Sequence, residues 1–508
     1  MKTFYITTPI YYASGDPHIG HAYTNLMADI TARYHRMGGH PVLFLTGTDE
    51  HGMKVQQKAQ ETGQTPQVFV DEIAARFREL TDVWNITNDD FIRTTEDRHK
   101  ETVRVFWQRV MDAGYIYKKK YGGLYCVGCE SFKTEKDLVE GKCTDHDAVP
   151  EQLEEENYFF QLSAFQKPLE ALFDAGEDFV TPADKCKEMR QILASGLEDI
   201  SVSRSTDKLQ WGIPVPGDES QVLYVWFDAL VNYVSAIGFG RTEDHMKDIW
   251  PADIHFVGKE INRFHSLLWP AMLLAAGLQP PKQIAVHGWI TVDGKKMSKT
   301  IGNVLDPFDL VEQRGLEAVR YFLAREIPFY RDGDFSFARF EDRYNNDLAN
   351  ELGNLLHRAV AMTDRYVASV VPAKAEYEVA THWTAYRASM EDLRFDDALA
   401  AVWELVRELN KYIDTMEPWK LGKQEDKTPV SQVLYVLLES LRHLGWMLMP
   451  IMPETSMRLF EAVGTSFEEQ AKITMSEAAK WGGLKPGSLV VSGEPLFPRM
   501  ESVLESAS

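Results

Sequence analysis

Two histidines, His18 and His21, stand where a β-like run gives way to a helical one, and an imidazole pair so placed can hold an anion. Thr3 to Tyr12 is β-branched and aromatic, which predicts a buried strand, and Ser14-Gly15-Asp16-Pro17 breaks it. Ile19, Ala22, Tyr23, Leu26, Ile30 and Tyr34 then recur at helical spacing until Gly38-Gly39, so a helix should begin near His18. Both histidines fall in its first turn, where unpaired N–H groups and the helix dipole attract negative charge. Gly20 between them leaves room for a ligand against the backbone. The combination points to a nucleoside triphosphate site, although two histidines in an isolated first turn also fit a helix cap with a surface partner.

A second chemistry is written in Cys126-x-x-Cys129 and Cys143-x-x-His146, two knuckles in the short, turn-rich stretch from Tyr117 to His146. Each two-residue spacer lets both side chains of a knuckle converge on one ion, the geometry of tetrahedral zinc. Four protein ligands leave no open position, so this zinc is expected to fold the stretch rather than to react. Cys186 lies apart and reads as a structural thiol. A third group, Lys295, Lys296 and Lys299 in VDGKKMSKTIGN, could meet phosphates or form a solvated loop cluster. Asp49, in GTDEHG, ends a predicted strand from Pro41 to Thr46 and could cap the next helix or face a ligand.

These residues need a scaffold, and 508 residues are too many for one core. Hydrophobic content of 44% with 26% charged residues describes an ordinary globular chain, and no apolar window predicts a membrane span. No secretory leader is recognisable, so a cytoplasmic location is expected. A net charge of −22 argues against a general polyanion-binding surface, and any RNA partner would need a local basic or aromatic one. Strand, helix and strand within the first fifty residues predict a parallel α/β unit, which binds ligands beyond the carboxyl ends of its strands. Helical patterns occupy about 163 to 196, and the sheet pattern resumes with Ile254 to Gly258 and Gln283 to Ile290. From about 340, Asn345 to Tyr366, Thr381 to Met416 and Val430 to Phe460 predict long amphipathic helices.

Taken together, His18-Ile19-Gly20-His21 and Lys296-Met297-Ser298-Lys299-Thr300, separated by two α/β halves and an insert, resemble the HIGH and KMSKS signatures of class I aminoacyl-tRNA synthetases. Thr300 replaces the final serine and keeps its hydroxyl. Within the class the chain is similar to the methionyl-tRNA synthetases from Thr3 to at least Phe460, through PIYYASGDPHIGH, GTDEHG, YVWFDALVNYVSAIG, HFVGKEINRFHSLLWPAMLLAAG and HGWITVDGKKMSKTIGN. Its single zinc knuckle resembles the one-zinc branch. The resemblance implies an α/β fold: a Rossmann-like parallel-sheet catalytic domain, a zinc-binding connective insert and a C-terminal α-helical anticodon-binding domain. The expected division is 1–116 and 226–295 for the two catalytic halves, 117–225 for the insert, 296–344 for the lysine loop and stem-contact region, and 345–508 for the helical domain and tail. The partners implied are L-methionine, ATP with Mg2+ and tRNA(Met). No extra C-terminal dimer-forming module is recognisable, so a monomer is expected.

The resemblance also assigns roles. His18, Gly20 and His21 would bind the triphosphate, with Lys299 on the transition state and pyrophosphate and Lys296 assisting; all but Gly20 count as catalytic. Negative charge grows on the phosphates in such a reaction, so fixed imidazoles and lysines suit it and no protein nucleophile is needed. For methionine the implied residues are Ile10, Tyr12, Asp49 on the ammonium, Trp226, Ala229, Tyr233, Phe264 and His265, with the Ile10 backbone and the Tyr233 hydroxyl near the sulfur. A thioether is apolar and polarizable, which aromatic walls suit. Leu230 stands where the family usually has proline. A hydrophobic pocket rejects a ligand shorter by one methylene only about 10–200-fold, so the one-carbon-shorter homologue of methionine is an expected misactivation hazard. Asn354, Arg358 and Trp419 match the family's anticodon-reading positions, although by themselves they also fit a helix cap and a core tryptophan.

Overall fold

The computed structural model describes residues 2–127, 131–133, 137–144, 147–176, 178–296 and 304–500, with Lys296 described by its backbone; the expectations for Cys129, His146, Lys299 and Thr300 lie outside the described residues. The chain forms two compact units, one of residues 1–28 and 42–287 and the other of 29–41 and 288–508.

The first unit is built on a seven-stranded sheet. Its strands are β1 (Phe4–Thr7), β2 (Tyr11–Tyr12), β3 (Val42–Asp49), β4 (Asp90–Arg93), β5 (Val180–Thr181), β6 (Ile254–Gly258) and β7 (Gln283–His287). Every pairing is parallel, in the order β5-β7-β6-β1-β3-β2, with β4 also on β3. A parallel sheet is buried on both faces, which is why Tyr5, Ile6, Phe44, Leu45, Phe256 and Val257 are almost wholly enclosed. β1 lies between β3 and β6, so the chain leaves it in two directions and a crevice opens at the carboxyl ends of these strands.

The strand predicted from Thr3 to Tyr12 is interrupted. Between Thr7, opposite Leu45, and Tyr11, opposite Thr48, the chain carries one residue more than β3 does. Pro9 sits in this bulge, lacking the N–H that a ladder needs, while Thr8 keeps its N–H on the Leu45 carbonyl at 3.0 Å. Beyond β2 the helix α1 runs from Ile19 to Met37, and α2 from Asp97 to Asp112.

The expected insert opens with two long antiparallel strands, Ile116–Cys126 and Glu151–Phe160. The helical span expected at 163 to 196 is divided, because β5 interrupts it and pairs with β7 through Val180 and Ile284. The apolar run after Gln221 also changes form, from the strand Asp218–Leu223 to a short helix, α3 (Val225–Leu230).

The second unit takes the last turns of α1. There Asp29 accepts from Arg320 of α4 (Leu316–Glu326) at 2.7 Å, and the same guanidinium donates to the carbonyls of Ile451 and Pro450 at 2.7 and 3.1 Å. The predicted long helices are subdivided. A π-helical stretch, Tyr344–Gly353, precedes α5 (Asn354–Val367). Leu393, with φ at 56°, separates the helix Ala380–Glu391 from α6 (Phe395–Met416), which is followed by the four-residue α7 (Pro418–Leu421). Pro450 and Pro453 divide α8 (Thr428–Leu448) from α9 (Pro453–Ala462), because proline cannot donate within a helix. Among the described residues no helix is long and apolar enough to cross a membrane.

Glu439 of α8, fully buried, organises the end of this unit. Its carboxylate accepts from Arg442 at 2.7 Å and from the backbone N–H groups of Gly482, Gly483 and Leu484 at 3.0, 2.8 and 2.9 Å. Burial would raise its pKa, but His443 and Arg442 outweigh that and hold the carboxyl below the usual glutamate range. The stability this provides is complete above the ordinary glutamate pKa of about 4.3 and is lost as pH falls through the lower folded value. Glu439→Gln sets an amide N–H against backbone donors and leaves Arg442 without its countercharge. A loss on the order of 3–5 kcal/mol is expected at pH 7, read as a lower midpoint in thermal unfolding and shrinking toward acid pH.

Candidate active site

The first turn of α1 is closed by its own imidazoles. The His18 N–H donates to Nδ1 of His21 at 3.1 Å, and the Gly20 N–H donates to Nδ1 of His18 at 3.1 Å. The two rings stack at 3.7 Å and 26°. Two of the donors that a helix start leaves unpaired are thereby satisfied. An Nδ1 that accepts an N–H carries no proton, so each neutral imidazole bears its hydrogen on Nε2 and is a donor there. Burial, then the neighbouring His18, pushes the His21 pKa well below its ordinary value. The cap reading is thereby met, and it leaves Nε2 of each ring as the donor an anion would require. Gly20 has a further reason to lack a side chain: a Cβ there would lie 2.9 Å from Cε1 of His18.

Aromatic rings outside the motif hold this turn in place. Tyr11 and Phe77 stack at 5.3 Å and flank the His21 ring at 4.8 and 5.1 Å. The Tyr11 hydroxyl donates to Oδ1 of Asn25 at 3.0 Å. Thr24 donates to the Gly20 carbonyl at 3.0 Å and meets Nε2 of His287, the last residue of β7, at 2.8 Å. Tyr11, Phe77 and His287 were not singled out by sequence; only their place at a strand end or on a helix's apolar face marked them.

The residues expected to hold an amino-acid side chain gather on the same unit. Trp226 and Ala229 lie on α3, Tyr233 on the short helix that follows, and Phe264 and His265 on a single π turn, Phe264–Leu268, after β6. π turns are rare and frequent at functional sites. Trp226 and Phe264 stack face to face at 3.9 Å and 5°, and His265 stands edge-on to Trp226 at 6.2 Å. Ile10, Tyr12, Trp226 and Phe264 are partly buried and pack against one core. Tyr12 pairs with Asp49 at the carboxyl end of β3, where Asp49 is 8% exposed.

His265 has the opposite tautomer to His18 and His21. Its Nδ1 faces the Ile261 carbonyl at 3.0 Å and must donate, so Nε2 accepts the Tyr233 hydroxyl at 2.7 Å. Burial lowers the His265 pKa to about 4, against the pull of that carbonyl, so the wall is uncharged. The Tyr233 proton is thereby committed to His265, whereas the sequence placed this hydroxyl near a sulfur.

Of the other predicted residues, Cys126 ends the strand Ile116–Cys126 and Cys143 ends the short strand Lys142–Cys143, each 1% exposed. Lys296 ends the strand Lys295–Lys296 in the second unit. There too Asn354 begins α5, exposed, and Arg358 donates to Asp414 of α6 at 2.7 Å. Trp419, on α7, is 38% exposed, so it is not the core tryptophan that sequence alone favoured. The left-handed Glu417, with φ at 46°, turns the chain outward just before it.

Two family models match the chain. The model described as tRNA synthetases class I (M) matches residues 4–147 and 133–360, and that described as the anticodon-binding domain of tRNA ligase matches 376–486. The methionine--tRNA ligase of Thermotoga maritima is 46% identical over 98% of this chain and 80% of its own length. The chain belongs to the methionyl-tRNA synthetase family. The Streptomyces coelicolor member is 42% identical over 98% of this chain and 97% of its own length. The Mycobacterium tuberculosis methionyl-tRNA synthetase in complex with methionyl-adenylate superposes with a TM-score of 0.92 at 36% identity, covering 98% of this chain and all of that one. The fold is thus the class I synthetase fold, a parallel-sheet α/β core with a C-terminal helical anticodon domain. As a test of the tautomers in this synthetase, long-range proton–nitrogen NMR at pH 7 should show Nε2–H for His18 and His21 and Nδ1–H for His265. An imidazolium pattern at His21 would contradict the geometry.

Proposed function

We propose that this chain ligates L-methionine to its tRNA through methionyl-adenylate, with His18, His21, Lys296 and Lys299 as the groups that act on ATP. The observation that carries the mechanism is the pair of Nδ1 atoms taken up by backbone N–H groups. It leaves two Nε2–H donors at a helix N-terminus, where a phosphate oxygen gains the dipole as well. In the first step a methionine carboxylate oxygen attacks the α-phosphorus of magnesium-bound ATP, and the bond to the bridging oxygen breaks to release pyrophosphate. Donors already in place stabilise the charge that grows on the phosphates. In the second step the terminal ribose hydroxyl of the tRNA attacks the adenylate carbonyl, releasing AMP.

The same proposal assigns the methionine side chain to Ile10, Tyr12, Trp226, Ala229, Tyr233, Phe264 and His265, and the ammonium to Asp49. A neutral His265 and a stacked Trp226–Phe264 wall suit an apolar sulfur. It also assigns one structural zinc to Cys126, Cys129, Cys143 and His146. Support for it comes from two thiols enclosed in an otherwise polar stretch, where a metal rather than a core would repay their burial. Residues 117–225 then form the connective insert between catalytic halves 1–116 and 226–295, ahead of a stem-contact region at 296–344 and the helical domain and tail. The enzyme acts as a monomer in the cytoplasm, where homologous translation enzymes work.

Exchange of pyrophosphate into ATP tests the first step: it should require methionine, and equal exchange with leucine would refute the proposal. Lys299→Ala should slow that exchange by about 10²–10³-fold with methionine binding, measured by calorimetry, little changed. An unaltered rate would remove Lys299 from the mechanism. The exposure of Trp419 on α7 supports a role in stacking on an unpaired base. Trp419→Ala should cost about 1–3 kcal/mol in tRNA aminoacylation and leave exchange intact; equal loss in both assays would point to folding instead.

A further inference from the structure

Behind the methionine residues lies a cluster that the mechanism has not used. Asp228, 1% exposed on α3, accepts from His51 Nδ1 at 2.6 Å through one oxygen and from His99 Nε2 at 2.8 Å through the other. His51 lies in the turn after β3 and is 3% exposed; His99, on α2, is fully buried. Burial alone would raise the Asp228 pKa, but His51 and then His99 reverse that and bring it to about 2. The carboxylate is therefore ionised, and both histidines point a proton at it.

Each neighbour of Asp49 along the turn is anchored separately. Glu50 receives Arg93 through Nε at 2.6 Å and Nη2 at 3.0 Å. Its carbonyl takes the Trp211 indole N–H at 2.5 Å, and the Gly52 N–H reaches the Trp211 carbonyl at 3.1 Å. His51 ties the turn to α3, the helix that carries Trp226 and Ala229. On a helix Asp228 projects about 200° away from Trp226, so it grips His51 from the back of the wall.

We propose that Asp228, through His51 and with His99 as its second donor, is a positioning residue that sets the distance between the ammonium site at Asp49 and the thioether wall at Trp226 and Ala229, and hence the side-chain length the enzyme accepts. This rests on the proposed roles of Asp49 and the wall. Two anchor points held by one buried carboxylate cannot drift apart without leaving a charge unpaired, and that penalty gives the pocket its length. A ligand one methylene shorter then leaves either the amine or the sulfur unsatisfied.

Steady-state pyrophosphate exchange tests it. Asp228→Asn keeps the volume but turns one acceptor into a donor facing a histidine N–H. The methionine KM should rise about 10–100-fold, with the ATP KM and kcat within about threefold. The preference in kcat/KM for methionine over S-methylcysteine, which is one methylene shorter between amine and sulfur, should fall about tenfold. His51→Asn, whose amide N–H replaces that of Nδ1, should restore a near-normal methionine KM, and His51→Gln, which places its amide elsewhere, should not. That contrast within one residue decides the matter even if Asp228→Asn fails to fold. An unchanged methionine KM and preference over S-methylcysteine in Asp228→Asn, a parallel rise in both KM values, or equal behaviour of the two His51 variants would overturn the proposal. Asp49→Asn separates the premise: if it leaves the methionine KM unaltered, the ammonium assignment is wrong. If it raises KM while Asp228→Asn does not, the positioning role alone falls.

Discussion

Which backbone group faces Nδ1 decides what each imidazole of the catalytic unit can do. At His18 it is the Gly20 N–H and at His21 the His18 N–H, and the rings become donors at Nε2. At His265 it is the Ile261 carbonyl, and the ring becomes an acceptor at Nε2. No titration is needed to distinguish the two cases, because the helix start offers spare donors and the π turn offers a spare carbonyl. Had His21 kept an ordinary pKa, protonation at Nδ1 would have set two N–H groups against each other and opened the turn. Burial and the adjacent ring keep it neutral, so the cap persists.

The proposed amino-acid pocket follows the same economy of polar groups. The hydroxyl of Tyr233 is satisfied by His265, whose other nitrogen is satisfied by Ile261, so the chain of donors closes without a charge. What remains toward the ligand is aromatic surface. The parallel Trp226–Phe264 contact adds about 0.5–1.5 kcal/mol beyond the area it buries, and it links α3 to the π turn after β6. Two buried carboxylates near the proposed pocket are paired, Glu50 with Arg93 and Asp228 with its two histidines, as burial demands.

Much of this was legible in the chain. The parallel core, the helix that opens with the histidine turn and the helical second half rest on long or strongly periodic signals, which tertiary context rarely overrides, whereas the aromatic set was implied by the family resemblance. The losses came from short features. The bulge at Pro9 shifts register by a single residue inside an otherwise continuous apolar run, and β5 is only two residues long, below any periodicity. Subdivision of the helices turned on single residues, Leu393 in a left-handed conformation and the prolines at 450 and 453. Residue type alone favoured a buried Trp419, whereas it is 38% exposed just after the left-handed Glu417. Asp228 carried a signal that went unread: a carboxylate within the apolar run VWFDAL must find buried donors, and the histidine of GTDEHG was the nearest candidate in chemistry.

The most direct test is a crystal structure of the chain holding methionine and a non-hydrolysable ATP analogue. Phosphate oxygens should lie about 2.7–3.2 Å from Nε2 of both His18 and His21, with the Nδ1 atoms still on their backbone donors and Lys299 reaching the same triphosphate. Phosphates seated away from both rings, or imidazoles turned so that Nδ1 meets the ligand, would contradict the account.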